Sequence, residues 1–100
     1  MGINSGQIDL WKQQYGDIYE YVVKDEGKEL KGYLHTPSLL VLDACKMASG
    51  KSDLKFQEAL VSNCWLGGDK ELVEKDEYRA GLYKWLGMLI KIVDGELKKV

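Results

Sequence analysis

The spacing of hydrophobic residues changes at Pro37, the single proline of the chain. Upstream of it the period is that of strands. Asp17 to Lys24 (Asp-Ile-Tyr-Glu-Tyr-Val-Val-Lys) is rich in β-branched and aromatic residues, which fit the pleated surface of a sheet. Asp25-Glu26-Gly27-Lys28 supplies a turn, with Asp to open it and Gly to take a positive φ. Lys31 to His35 (Lys-Gly-Tyr-Leu-His) returns as the second strand of an antiparallel hairpin. Side chains alternate across a strand, so Tyr19, Tyr21 and Val23 share one face, and Ile18, Glu20 and Val22 the other. An isolated hairpin is marginal in water, so helices or a partner chain must cover it. Its open edges invite further strands, against which Lys24, Lys28 and Lys31 stand as guards. Ahead of the hairpin, Ile8, Leu10, Trp11 and Tyr15 predict a short helix that Gly16 ends.

Downstream of Pro37 the period is helical. Ser38 is a fair N-cap. Leu39 to Ser49 is apolar almost all round, interrupted by Asp43 and Lys46, the pattern of a helix buried on most sides. Gly50 ends it. Ser52 caps a third helix from Asp53 to about Trp65, with Phe56, Ala59, Leu60 and Cys64 on one face. Gly67-Gly68-Asp69 reads as a turn. In the last helix Tyr78, Leu82, Trp85, Leu86, Leu89, Ile90, Val93 and Leu97 recur at helical intervals. Asp76 and Glu77 at its start and Lys98 and Lys99 at its end suit the helix dipole. Gly81 and Gly87 inside it each cost about 1 kcal/mol against Ala, an expense offset where they let another helix come close. Gly95 shortens it by a turn. The predicted core is Leu40, Ala44, Phe56, Leu60, Leu82, Trp85, Leu86 and Leu89.

These elements make an α+β fold: a short N-terminal helix and a two-stranded antiparallel β-hairpin (16–36), followed by three helices forming a small bundle (38–100). A chain of 100 residues is one domain's worth. Composition narrows the function classes. Apolar residues are 45% and charged residues 30%, near the averages for soluble domains. Lys plus Arg (14) nearly balance Asp plus Glu (16), which argues against a basic nucleic-acid surface. No apolar run reaches the ~18 residues of a membrane span. Met-Gly-Ile-Asn-Ser-Gly-Gln has neither the basic flank nor the apolar run of a signal peptide, so Cys45 and Cys64 are expected as reduced, buried thiols.

Candidate chemistry is sparse. Ser49-Gly50-Lys51-Ser52 ends like a phosphate-binding loop, but Cys45 stands where the first glycine belongs and a helix precedes it in place of a strand. A helix-to-helix turn accounts for it. His35 is the sole histidine, beside a strand end, with no evident partner for acid–base work. Both cysteines lie on apolar helix faces, where a thiol stays protonated and inert. No catalytic, cofactor-binding or metal-binding residue is assigned. The aromatics carry more information. Tyr19, Tyr21 and Tyr33 in the hairpin, and Trp65 beside the Gly-Gly pair, serve either as core or as rigid contact residues for a protein partner.

One resemblance extends this picture. Trp-Lys-x-x-Tyr-Gly-x-Ile-Tyr (11–19), an acidic hairpin and Tyr-Leu-His-Thr-Pro-Ser (33–38) come first. A small-residue helix, Ser-Asn-Cys-Trp-Leu-Gly-Gly-Asp (62–69) and a final amphipathic helix follow. This order resembles the small tail assembly chaperones of long-tailed bacteriophages. The similarity runs from about Trp11 to Lys99, and Asn63 to Asp69 is its most characteristic piece. The resemblance implies a non-catalytic protein of the host cytoplasm, self-associating weakly and binding the tape measure or tail tube protein. Such proteins coat the long helical tape measure protein before the tube closes on it, and helix-in-groove packing would be the physical mode. The alternative is a minor virion structural protein, a tail or head–tail completion component retained in the particle. A small enzyme is disfavoured by the lone histidine and the missing nucleophile constellation.

Overall fold

The computed structural model describes residues 3–90 and 92–100. Helix α1 (Ser5–Tyr15) starts where the Gln7 backbone N–H donates to Asn4 Oδ1 (2.8 Å), and Gly16 ends it at φ 85°. Strands β1 (Ile18–Asp25) and β2 (Lys28–His35) pair antiparallel from Ile18↔His35 to Asp25↔Lys28. That register leaves a two-residue loop, Glu26-Gly27, with φ of 47° and 80°. Positive φ at both positions matches the right-handed twist of the strands. Ser38 then caps α2 (Leu39–Ser49), Gly50 breaks it at φ 59°, and Ser52 caps α3 (Asp53–Cys64) by accepting from the Lys55 N–H. The phosphate-loop-like stretch is therefore the expected turn between two helices.

A third strand replaces the predicted Gly-Gly turn. β3 (Trp65–Gly68) pairs antiparallel with β2, giving the order β1-β2-β3. The register is Gly32↔Gly68, Tyr33↔Gly67 and Leu34↔Trp65, with a bulge that absorbs Leu66. Gly68 takes φ 125°, and a side chain there would overlap the Lys31 backbone. Asp69 completes the join: its N–H donates to the Lys31 carbonyl (2.8 Å), and its Oδ2 accepts from the Lys31 N–H (2.8 Å). Lys31 thus belongs to the central strand and does not guard an edge. The short α4 (Glu71–Glu74) and α5 (Asp76–Lys84) follow, then a 3₁₀ turn at Leu86–Leu89.

The sheet face carrying Tyr19, Tyr21, Val23, Leu30 and Leu34 meets α3, α4 and α5. Leu34 packs with Leu60, Val61, Cys64, Leu82, Leu86 and Leu89. Leu30, Leu72 and Tyr78 form a second cluster nearer the hairpin turn, and Trp65 packs against both. The architecture is the expected mixed α+β, with an N-terminal helix, an antiparallel hairpin widened by one short strand, and several helices.

Three predicted core residues lie outside it. Leu40 is 83% exposed and Ala44 is exposed, because α2 turns Cys45 and Ser49 inward against α3. Trp85 is 52% exposed. The last helix stops at Lys84, and Trp85 (φ −101°, ψ 7°) leaves the helical path into the 3₁₀ turn. Gly87 inside that turn weakens any helical continuation. Residues 92–100 form neither helix nor strand, and Val93 and Leu97 are exposed. Gly81 does permit a close approach, but from the Tyr21 hydroxyl and not from another helix, while Gly87 faces open space.

Candidate functional site

The outer edge of β1 and the end of α5 frame an apolar groove of about 360 Å³. Tyr19, Tyr21 and Val22 supply one wall, Leu82 and Leu89 part of the other, and Trp85 and Met88 the rim. Alternation along β1 aims Tyr19 and Tyr21 at the helices. Burial raises the Tyr21 hydroxyl above its ordinary pKa. Among the described residues no strand pairs with the outer side of β1. An open edge beside an apolar groove is the arrangement that captures an extended chain: backbone groups hold it and the groove takes its side chains.

The four candidate aromatics do not converge. Tyr19 and Tyr21 share the groove. Tyr33 points to the opposite sheet face, 5% exposed, its ring 5.8 Å from that of Trp11. Its hydroxyl donates to Glu20 Oε2 (2.7 Å), and that bond, with burial, raises its pKa. Trp65 lies half-buried over Gly32. Val22, Trp85 and Met88 were not among the candidates. Trp85 was hidden by its fit to a helical stripe that stops one residue earlier.

The chain matches no protein-family model, no curated protein and no solved structure. His35 stacks flat under Tyr15 (4.3 Å, 6°), with Nδ1 2.7 Å from the Thr36 carbonyl. Cys45 and Cys64 are free and buried. Burial, then the neighbouring Cys45, pushes the Cys64 thiol up to about 11, so it stays protonated at neutral pH. Asn63 ties the two helices: its amide donates to the Ala59 carbonyl (2.8 Å) and lies 3.6 Å from Cys45 Sγ. The Asn63–Asp69 stretch is accordingly a structural joint, linking α2, α3 and the third strand.

A second surface lies on α2. Leu40, Ala44 and Met47 fall on one helical face, and Leu40 and Met47 are 83% and 78% exposed. No helix among the described residues is long and apolar enough to cross a membrane.

Proposed function

We propose that this protein is a non-catalytic tail assembly chaperone of a long-tailed bacteriophage, acting in the host cytoplasm on the tape measure protein. The observation that supports this most is the mismatch on α2. A helix apolar on all sides belongs in an interior, yet Leu40, Ala44 and Met47 form an exposed stripe. A stripe of this spacing packs against an apolar stripe of another helix, and a tape measure protein is a long helical chain with such a face. The small, near-neutral chain, with a formal charge of -2, suits many copies lying side by side without strong mutual repulsion.

Co-expression with the tape measure protein of the same phage tests the reading. The two should co-elute in size-exclusion chromatography. The double variant Leu40→Asp/Met47→Asp should lose co-elution while keeping its helical circular dichroism, since both positions are solvent-exposed. Unchanged co-elution of the variant sinks the α2 surface. Stoichiometric retention of the protein in purified virions would instead mark it as a structural component.

A further inference from the structure

Residues 92–100 (Ile-Val-Asp-Gly-Glu-Leu-Lys-Lys-Val) are exposed throughout, with Ile92, Val93, Leu97 and Val100 at 74%, 85%, 101% and 120%. Four large apolar side chains in water on one short segment ask for a cover. The outer edge of β1 asks for a strand. We infer that residues 92–100 of one copy add as an antiparallel strand to β1 of a second copy, with Leu97 entering the groove beside Trp85 and Met88.

Charge selects the orientation. On the face of β1 away from the groove stand Glu20 and Lys24, both exposed; the segment offers Asp94, Glu96, Lys98 and Lys99. In an antiparallel pairing with Lys98 opposite Glu20, Asp94 falls opposite Lys24. Both cross-strand pairs are then of opposite sign, which stabilises pairing. No parallel register satisfies both, because the signs run in the wrong order. In the antiparallel register Val100 meets Ile18, and Leu97 meets Tyr21 on the groove side. An edge bearing charges of one sign repels other strands; this one carries both signs and therefore prefers one register.

Reach selects a second copy. α5 starts beside Asp25, to which the Tyr78 hydroxyl donates, and Leu89 beyond its end lines the groove with Tyr19 to Val22, so the chain leaves the core towards the Tyr19 end of β1. Tyr19 to Lys24 is about 17 Å of strand. From Ile90 to Asp94 the chain spans at most about 14 Å, and it would then have to reverse. To pair with its own β1 the chain would have to double back along the strand, whereas residues 92–100 stay exposed and unpaired.

The contact does not depend on the chaperone reading and is testable with the protein alone. One full-length chain carries Glu20→Cys and another Lys98→Cys. Residues directly opposite across antiparallel strands have Cβ atoms about 4.5–5.5 Å apart, near disulfide range. Mixed and oxidised, they should give a covalent heterodimer, whereas Lys24→Cys with Lys98→Cys should not. In sedimentation runs, Lys24→Glu should weaken self-association about tenfold if two such contacts form per dimer, and adding Asp94→Lys should restore it. Equal cross-linking of both cysteine pairs, no cross-linking, or a double charge variant no better than its singles overturns the inference. A chain carrying both Glu20→Cys and Lys98→Cys that closes within itself overturns it too. Lys24, Asp94 and Lys98 are surface residues, and Glu20 is exposed but accepts from the Tyr33 hydroxyl, so circular dichroism of each variant separates lost contact from lost fold.

Discussion

Gly32 lies in the central strand with the Trp65 indole directly over its Cα, and a methyl group there would overlap the ring and press on Leu72. Trp65 is held from both sides by the two core clusters, so it has little room to give. Gly32→Ala should therefore cost about 1–3 kcal/mol, the usual range for overpacking. Thermal denaturation measures it, and a loss within 0.5 kcal/mol, roughly the scatter of surface changes, would mean that Trp65 is free to move. Titration at single residues gives a second test. The Tyr78 hydroxyl donates to Asp25 Oδ2 (2.9 Å); that bond and burial push its pKa from 10.0 up to about 12. The Cys64 thiol rises from 9.0 to about 11. Both groups hold their protons more tightly folded than unfolded, so the stability they contribute is complete below about pH 9 and lost as pH climbs through 11 and 12. Tyr78→Phe should lower the melting temperature at pH 7 and flatten its fall above pH 10. A variant with an equally steep alkaline fall would assign that loss to other groups.

Elements bounded by local chemistry were legible in the sequence, and elements bounded by packing were not. Ser38, Gly50 and Ser52 mark helix ends through their own side chain or φ, and α2 and α3 begin and end within a residue of expectation. The hairpin was readable from its β-branched run and its Glu26-Gly27 turn. β3 was not, because four residues with two glycines carry no alternation; its place is set by Asp69 bonding to Lys31 and by the room that Gly32 leaves for Trp65. The stripe from Tyr78 to Leu97 promised one long helix. Leu82, Leu86 and Leu89 are buried as that stripe requires, but a 3₁₀ turn carries the last two inward and releases Trp85 to the rim. Periodicity thus identified which residues meet the core and misjudged the backbone that delivers them. The groove shared this fate, since its rim of Trp85 and Met88 exists only because the helix stops.

At the scale of the whole molecule the sheet is the common support. α3 and α5 touch one another through side chains that rest on Leu34, Tyr19 and Tyr21, and α1 lies on the opposite face against Tyr33 and His35. The radius of gyration, 15.4 Å, exceeds the roughly 13 Å of a compact chain of this length. Residues 92–100, all exposed, lie outside the packed body. The sheet-and-helix body should melt as one unit, because neither the hairpin nor the helices bury their apolar faces without the other. Replacing Tyr19, Tyr21 and Tyr33 together with Ser tests this. Tyr33 is 5% exposed and the other two pack on the main cluster. Losing one buried aromatic costs about 3–5 kcal/mol, and half-buried ones cost less. The sum is a large part of the roughly 5–15 kcal/mol that holds a small domain folded. The triple variant should accordingly lose helical circular dichroism and the tryptophan fluorescence shift at the same, much lower, urea concentration. Helices that survive in this variant would show that residues 38–100 fold without the sheet.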